Sequence, residues 1–113
     1  MALKNVTIGN TDTNILDGNQ GASVAITVMF VTNTGGAAAT LTVYAIDYND
    51  ANQTTRDQNT ILKDVSINAG DTFTLDTEKL VLGFDPVGGA ADKIIAVSDT
   101  AGALNVTMSY VEL

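Results

Sequence analysis

The side chains best placed to do chemistry lie in AIDYNDANQTTRDQNT, residues 45–60, where Asp47, Asp50 and Asp57 stand among amides and hydroxyls. Closely spaced carboxylate and amide oxygens are the ligands of calcium. The helix–loop–helix calcium loop also requires a glycine at its sixth position and a bidentate glutamate at its twelfth. Counted from Asp47 those positions are Asn52 and Gln58, and from Asp50 they are Thr55 and Ile61, so neither frame fits. An irregular site in which Asp47, Asn49, Asp50 and Asp57 converge is the metal reading that survives. The reading the sequence favours is a solvated connection between two strands, available to a partner.

The remaining inventory points away from catalysis. With no His and no Cys, the serine, cysteine and zinc mechanisms lack their groups. A glycosidase needs only two carboxyls, and Asp76 with Glu78 or Asp85 with Asp92 are the pairs on offer. Asp76 and Glu78 fall at a strand edge, where charge serves solubility, and the chain has no Trp to stack a sugar. The expectation is a protein that is not an enzyme and needs no cofactor. The glycine-rich stretches NTGGAAAT and DPVGGAAD lack the Lys-Ser/Thr of a phosphate loop and open no helix, so they read as turns. Asn-x-Thr sequons at Asn5, Asn52 and Asn105 are read as chance in a chain rich in Asn and Thr. Tyr44, Tyr48, Tyr110, Phe30, Phe73 and Phe84 would mark a binding surface if exposed. The favoured reading puts Phe30 and Tyr110 in the core and Phe73 at one end of it.

Composition narrows the partners. The net charge is −8, from 13 carboxylates against five basic residues. Nucleic acid and anionic membranes are held by clustered Lys and Arg, whereas Lys4, Arg56, Lys63, Lys79 and Lys93 are scattered. Neither partner is expected. At 45% hydrophobic the chain is too apolar for a disordered tail, yet no run of 18 apolar residues could span a membrane. MALKNVTIGN lacks the charged and then apolar regions of a signal peptide. The start at Met and the finish on a strand are read as one complete small gene product, a single domain over 1–113.

The elements that must position these groups are strands. SVAITVMFVT, residues 23–32, alternates with apolar residues on both faces, which predicts a central strand. Gly35-Gly36 then predicts a hairpin into TLTVYAIDY, residues 40–48. Further strands are predicted at 61–67, 72–76, 79–82, 92–98 and 104–112, with short ones at Val6–Ile8 and Ile15–Leu16. Asn68-Ala69-Gly70-Asp71 is a turn signal. In the last strand Leu104, Val106, Met108 and Tyr110 face inward, and Asn105, Thr107 and Ser109 outward. The fold class is all-β: one antiparallel β-sandwich of seven to nine strands, jelly-roll or immunoglobulin-like.

ILKDVSINAGDTFTLDTEKLVL followed by ADKIIAVSDTAGALNVTMSYVEL resembles small virion structural proteins of tailed bacteriophages. The shared cadence is the turn Ala69-Gly70-Asp71, the strand Lys79-Leu80-Val81-Leu82, then Asp92-Lys93-Ile94 and a final Ser109-Tyr110-Val111-Glu112. The resemblance covers about residues 60–113, and GFDPVGGAA at 83–91 interrupts it, so no contact at that edge is carried over. It implies a capsid decoration or cement protein that bridges capsid subunits, or a neck or tail accessory. The implied partner is the major capsid protein or another virion protein. It further implies a homo-oligomer, a trimer in preference to a dimer, soluble in the host cytoplasm before assembly and virion-bound afterwards. The alternative is a host-glycan-binding module, which would need an aromatic or amide-lined groove. Loops on a rigid sandwich are where binding resides, so Thr54, Thr55, Arg56, Gly83, Phe84, Asp85 and Pro86 are the candidate contact residues, with the chain termini.

Overall fold

The computed structural model describes residues 2–17, 23–49, 54–55, 57–75, 80–84 and 90–112. Its strands are β1 (Ala2–Thr7), β2 (Thr13–Asp17), β3 (Val24–Asn33), β4 (Ala39–Ile46), β5 (Thr60–Ile67), β6 (Thr72–Leu75), β7 (Leu80–Leu82), β8 (Lys93–Ser98) and β9 (Leu104–Glu112). A 3-10 turn, Asp57–Asn59, precedes β5. Among the described residues no helix is long and apolar enough to cross a membrane.

The strands form two antiparallel sheets. Sheet A has the order β1-β9-β3-β6, with β7 also pairing β3, and sheet B the order β2-β8-β4-β5. The pairing is nested: first strand with last, β2 with β8, β3 with β6 and β7, β4 with β5. That arrangement is a jelly roll and decides between the two expected topologies. Val31, Leu104, Val106 and Met108 of sheet A meet Ile15, Leu41, Val43 and Ile94 of sheet B in one buried cluster. Lys4 lies on the inward side of β1, an edge strand. A charge there discourages pairing with a further strand.

Two sequence expectations need correction. Residues 23–32 and 40–48 do not form a hairpin, because β3 lies in sheet A and β4 in sheet B. The connection between them crosses from one sheet to the other, and neither Gly35 nor Gly36 has a positive φ. Gly35 matters for space instead: a Cβ there would stand 3.3 Å from both the Ala103 Cβ and the Asn33 Oδ1. Phe30 is not core either, being 40% exposed. A bulge between Ile26 and Val28 inserts Thr27, so Val24 and Ile26 face inward before it and Met29 and Val31 after it. One extra residue reverses the alternation, and Thr27 Oγ1 anchors the bulge by donating to the Ser109 carbonyl at 3.0 Å. Tyr110 and Phe73 do pack, half-buried, against the core.

Irregularity recurs in β5, whose register against β4 shifts on both sides of Val43. Asp64 sits at the first shift with φ of 50°, a left-handed conformation that Asp tolerates better than most side chains. The Asp64 amide donates to Thr42 Oγ1 at 3.0 Å, which holds the kink.

Candidate functional site

The nested order sends short turns to one end of the sandwich and long connections to the other. The turn end carries residues 8–12, 34–38, 68–71 and 99–103, while the loop end carries 47–49, 83–84, 90–92 and the outer ends of β1 and β9. At the turn end Asn33, wholly buried, is the organising side chain. Its Nδ2 donates to the Ala37 and Ile67 carbonyls, both at 2.8 Å, and its Oδ1 accepts from the Gly35 amide at 2.9 Å. Its backbone N–H donates to the Asp71 carbonyl and its carbonyl accepts from Gly70. Gly70 and Gly102 take φ near +80°, as their turns require. At the same end the Thr40 amide donates to Asp99 Oδ1 at 2.9 Å. That bond holds the Asp99 carboxyl below its ordinary value of 3.8, with a smaller contribution from the Thr100 hydroxyl.

The loop end carries the candidate contacts. A cleft of about 410 Å³ opens there between the sheets, lined by Asp47, Tyr48, Asn49, Asp92 and the β7 residues Leu80, Val81 and Leu82. Asp92 holds it in shape: Oδ1 accepts from the Tyr48 amide at 2.7 Å and Oδ2 from the Gly83 amide at 2.8 Å. A return bond runs from the Asp92 amide to the Gly83 carbonyl. Asp92 therefore ties the end of β4 to the end of β7 across the two sheets. Asp47 Oδ1 accepts from the Asn49 amide at 2.9 Å in a local turn.

Of the candidate calcium ligands, Asp47 is exposed beside this cleft, Asp57 is exposed at the start of the 3-10 turn, and Asp50 lies outside the described residues. Among the described residues no group of three or more His, Cys, Asp or Glu is placed to hold a metal. Of the carboxylate pairs only Asp92 falls within the described residues, and Asp76, Glu78 and Asp85 do not. Thr54 is exposed and its carbonyl accepts from Asn59 Nδ2 at 2.9 Å. Thr55 is half-buried, and its hydroxyl donates to Asp12 Oδ2 at 3.1 Å. That bond carries the long connection back over the outer face of sheet B. Ile46 and Ile95 lie on that outer face, away from the core cluster, yet are only 2% and 7% exposed. Gly83 and Phe84 are half-buried, with Phe84 bridging Ala91. Arg56, Asp85 and Pro86 lie outside the described residues. Tyr48 is half-buried in the cleft, and Tyr44 half-buried on the outer face of sheet B.

The structure thus brings residues 47–49, 83–84 and the outer ends of β1 and β9 to one end, although they are distant in sequence, while Thr55 reaches away from it to Asp12. Sequence reasoning missed the anchoring role of Asp92, offered there only as half of a carboxylate pair. Its one legible signal is position: an Asp immediately ahead of a strand, where amides at strand ends need an acceptor.

Comparison with family models gives no match, and comparison with curated proteins gives none. Among solved structures the chain is similar to one in the "Structure of infectious bursal disease virus Gx strain", at 12% identity and a TM-score of 0.42. The alignment covers 98% of this chain and 29% of that one, so the chain spans less than a third of its neighbour's length.

Proposed function

We propose that this chain is a non-enzymatic virion structural protein, a capsid decoration or cement protein that stabilises a phage particle by bridging capsid subunits. The observation that carries the reading is the jelly-roll strand order, an architecture used by viral capsid and lectin domains. It agrees with the likeness of residues 60–113 to small virion proteins. Fold supplies the class of role and not the partner. The partner-facing surface in this reading is the loop end, where the candidate contacts Gly83 and Phe84 lie, together with Thr54 and Thr55 on the connection that leads from it over sheet B, with the major capsid protein or a neck or tail protein opposite. The chain acts there as a homo-oligomer. Purified particles are expected to contain the chain in fixed ratio to the major capsid protein, and particles assembled without it are expected to melt at lower temperature. Particles that lack it, or that melt unchanged without it, overturn the proposal.

A second reading is favoured by one feature, the open cleft in which Tyr48 and Asn49 stand beside Asp47. An aromatic face with amide and carboxylate groups suits a glycan. Binding on a glycan array that is lost in Tyr48→Ala would support it, and silence across the array would end it.

A further inference from the structure

We propose that the outer face of sheet A is the surface through which two copies of this chain associate, face to face about a twofold axis. This does not rest on the virion reading. It rests on where charge and exposed apolar surface lie.

The outward positions of sheet A follow from its register. Leu3, Asn5 and Thr7 of β1 oppose Ser109, Thr107 and Asn105 of β9. These in turn oppose Val28, Phe30 and Thr32 of β3, and the face continues into β6 and β7 at Thr72, Thr74 and Val81. No charged side chain stands among them, in a chain whose net charge is −8. Among the described residues four large hydrophobics stay exposed, Leu3 at 72%, Val81 at 54%, Ile61 at 41% and Phe30 at 40%. Three of those four are on this face, and only Ile61 is not.

Six of the eight polar side chains named on this face already hydrogen-bond one another. Thr7 Oγ1 donates to Asn105 Oδ1 at 2.7 Å, Thr107 Oγ1 donates to Asn5 Oδ1 at 2.8 Å, and the Thr32 and Thr72 hydroxyls are 2.9 Å apart. Asn105 Nδ2 donates to Thr34 Oγ1 at 2.8 Å. Burying such groups costs far less than burying open donors and acceptors, because their hydrogen bonds survive. Sheet B makes the contrast: its outward Ile46 and Ile95 are buried, whereas Leu3, Phe30 and Val81 of sheet A are exposed.

Charge selects the occupant. A basic partner would be drawn to the acidic surfaces elsewhere and gain nothing from a neutral sheet. Two copies that each carry −8 repel, and they approach at least cost where both are neutral. The extent is adequate. β3 and β9 run about 30 Å, and β1 and β6 with β7 about 20 Å each, which at about 4.8 Å spacing gives about 500 Å² per copy and about 1,000 Å² in total. That is the lower limit for a specific interface, so the dimer should dissociate on dilution. The same patch meeting itself is isologous and closes at two copies.

Sedimentation equilibrium of the full chain from about 1 μM to about 1 mM tests this, with Leu3→Glu, Phe30→Glu and, as a control off the face, Ile61→Glu. The expected mass rises with concentration from 11.7 kDa toward twice that value. Leu3→Glu and Phe30→Glu should each weaken association at least about tenfold, and Ile61→Glu should leave it unchanged. Should Phe30→Glu fail to fold, Leu3→Glu decides, since Leu3 contributes almost nothing to the core. A monomer at every concentration, a trimer, or a dimer that Leu3→Glu leaves intact each overturns the proposal.

Discussion

The two ends of this sandwich are built on opposite plans. At the turn end one buried amide, Asn33, joins two of the four short connections, its three side-chain hydrogen bonds holding the turns after β3 and β5. At the loop end long connections meet an open cleft, and the chief tie is the carboxylate of Asp92 between the Tyr48 and Gly83 amides. The difference teaches where a small jelly roll places stability and where it leaves room for contact. A buried, fully satisfied side chain fixes one conformation. A half-buried tie at the mouth of a cleft leaves surface for a partner.

Substitutions that remove each tie should rank accordingly. Asn33→Ala leaves two carbonyls and one amide without partners in a buried site and should cost about 3 kcal/mol in a denaturant melt. A loss under about 1 kcal/mol would mean that the turns hold without it. Asp92→Ala removes two charge-assisted bonds from a half-buried site that water can enter. The expected loss is about 1–2 kcal/mol, with amide exchange rising at Tyr48 and Gly83 and unchanged at Gly35. Equal exchange at both ends would dissolve the distinction between them.

The smallest effect is the pH response of Asp99. Its folded carboxyl titrates below the ordinary 3.8 because the Thr40 amide favours the charged form. The stability it contributes is therefore present above the unfolded value and is lost as pH falls through the lowered folded value. Asp99 is exposed at the surface, so the contribution is small. The melting temperatures of the wild type and Asp99→Asn should differ slightly at neutral pH and converge in acid. A difference that grows in acid would contradict the assignment.

Much of the frame was legible in the sequence. Alternation in LNVTMSYVE placed Leu104, Val106 and Met108 inward, and Asn68-Ala69-Gly70-Asp71 gave a turn whose Gly70 has the positive φ it needs. The errors share a cause. Alternation is a local signal, so it could not show that Thr27 is an extra residue, and Phe30 was assigned to the wrong face. Partnership is non-local: 23–32 and 40–48 look like a hairpin because they are neighbours in sequence, while their partners, β9 and β8, lie 71–88 and 47–57 residues further along the chain. The same limit hid the meeting of Tyr48, Gly83 and Asp92 at one end. Aspartates crowded in 45–60 were the most conspicuous chemistry, whereas the Asp that ties two strands together, Asp92, stands alone in its stretch.

The most direct measurement is the binding of the purified chain to particles assembled without it, followed by co-sedimentation. The account predicts saturable binding that is weakened by the loop-end substitutions Thr54→Arg and Phe84→Ala and untouched by Asp99→Asn at the turn end. Absence of binding, or binding lost with Asp99→Asn and kept by both loop-end variants, would contradict it.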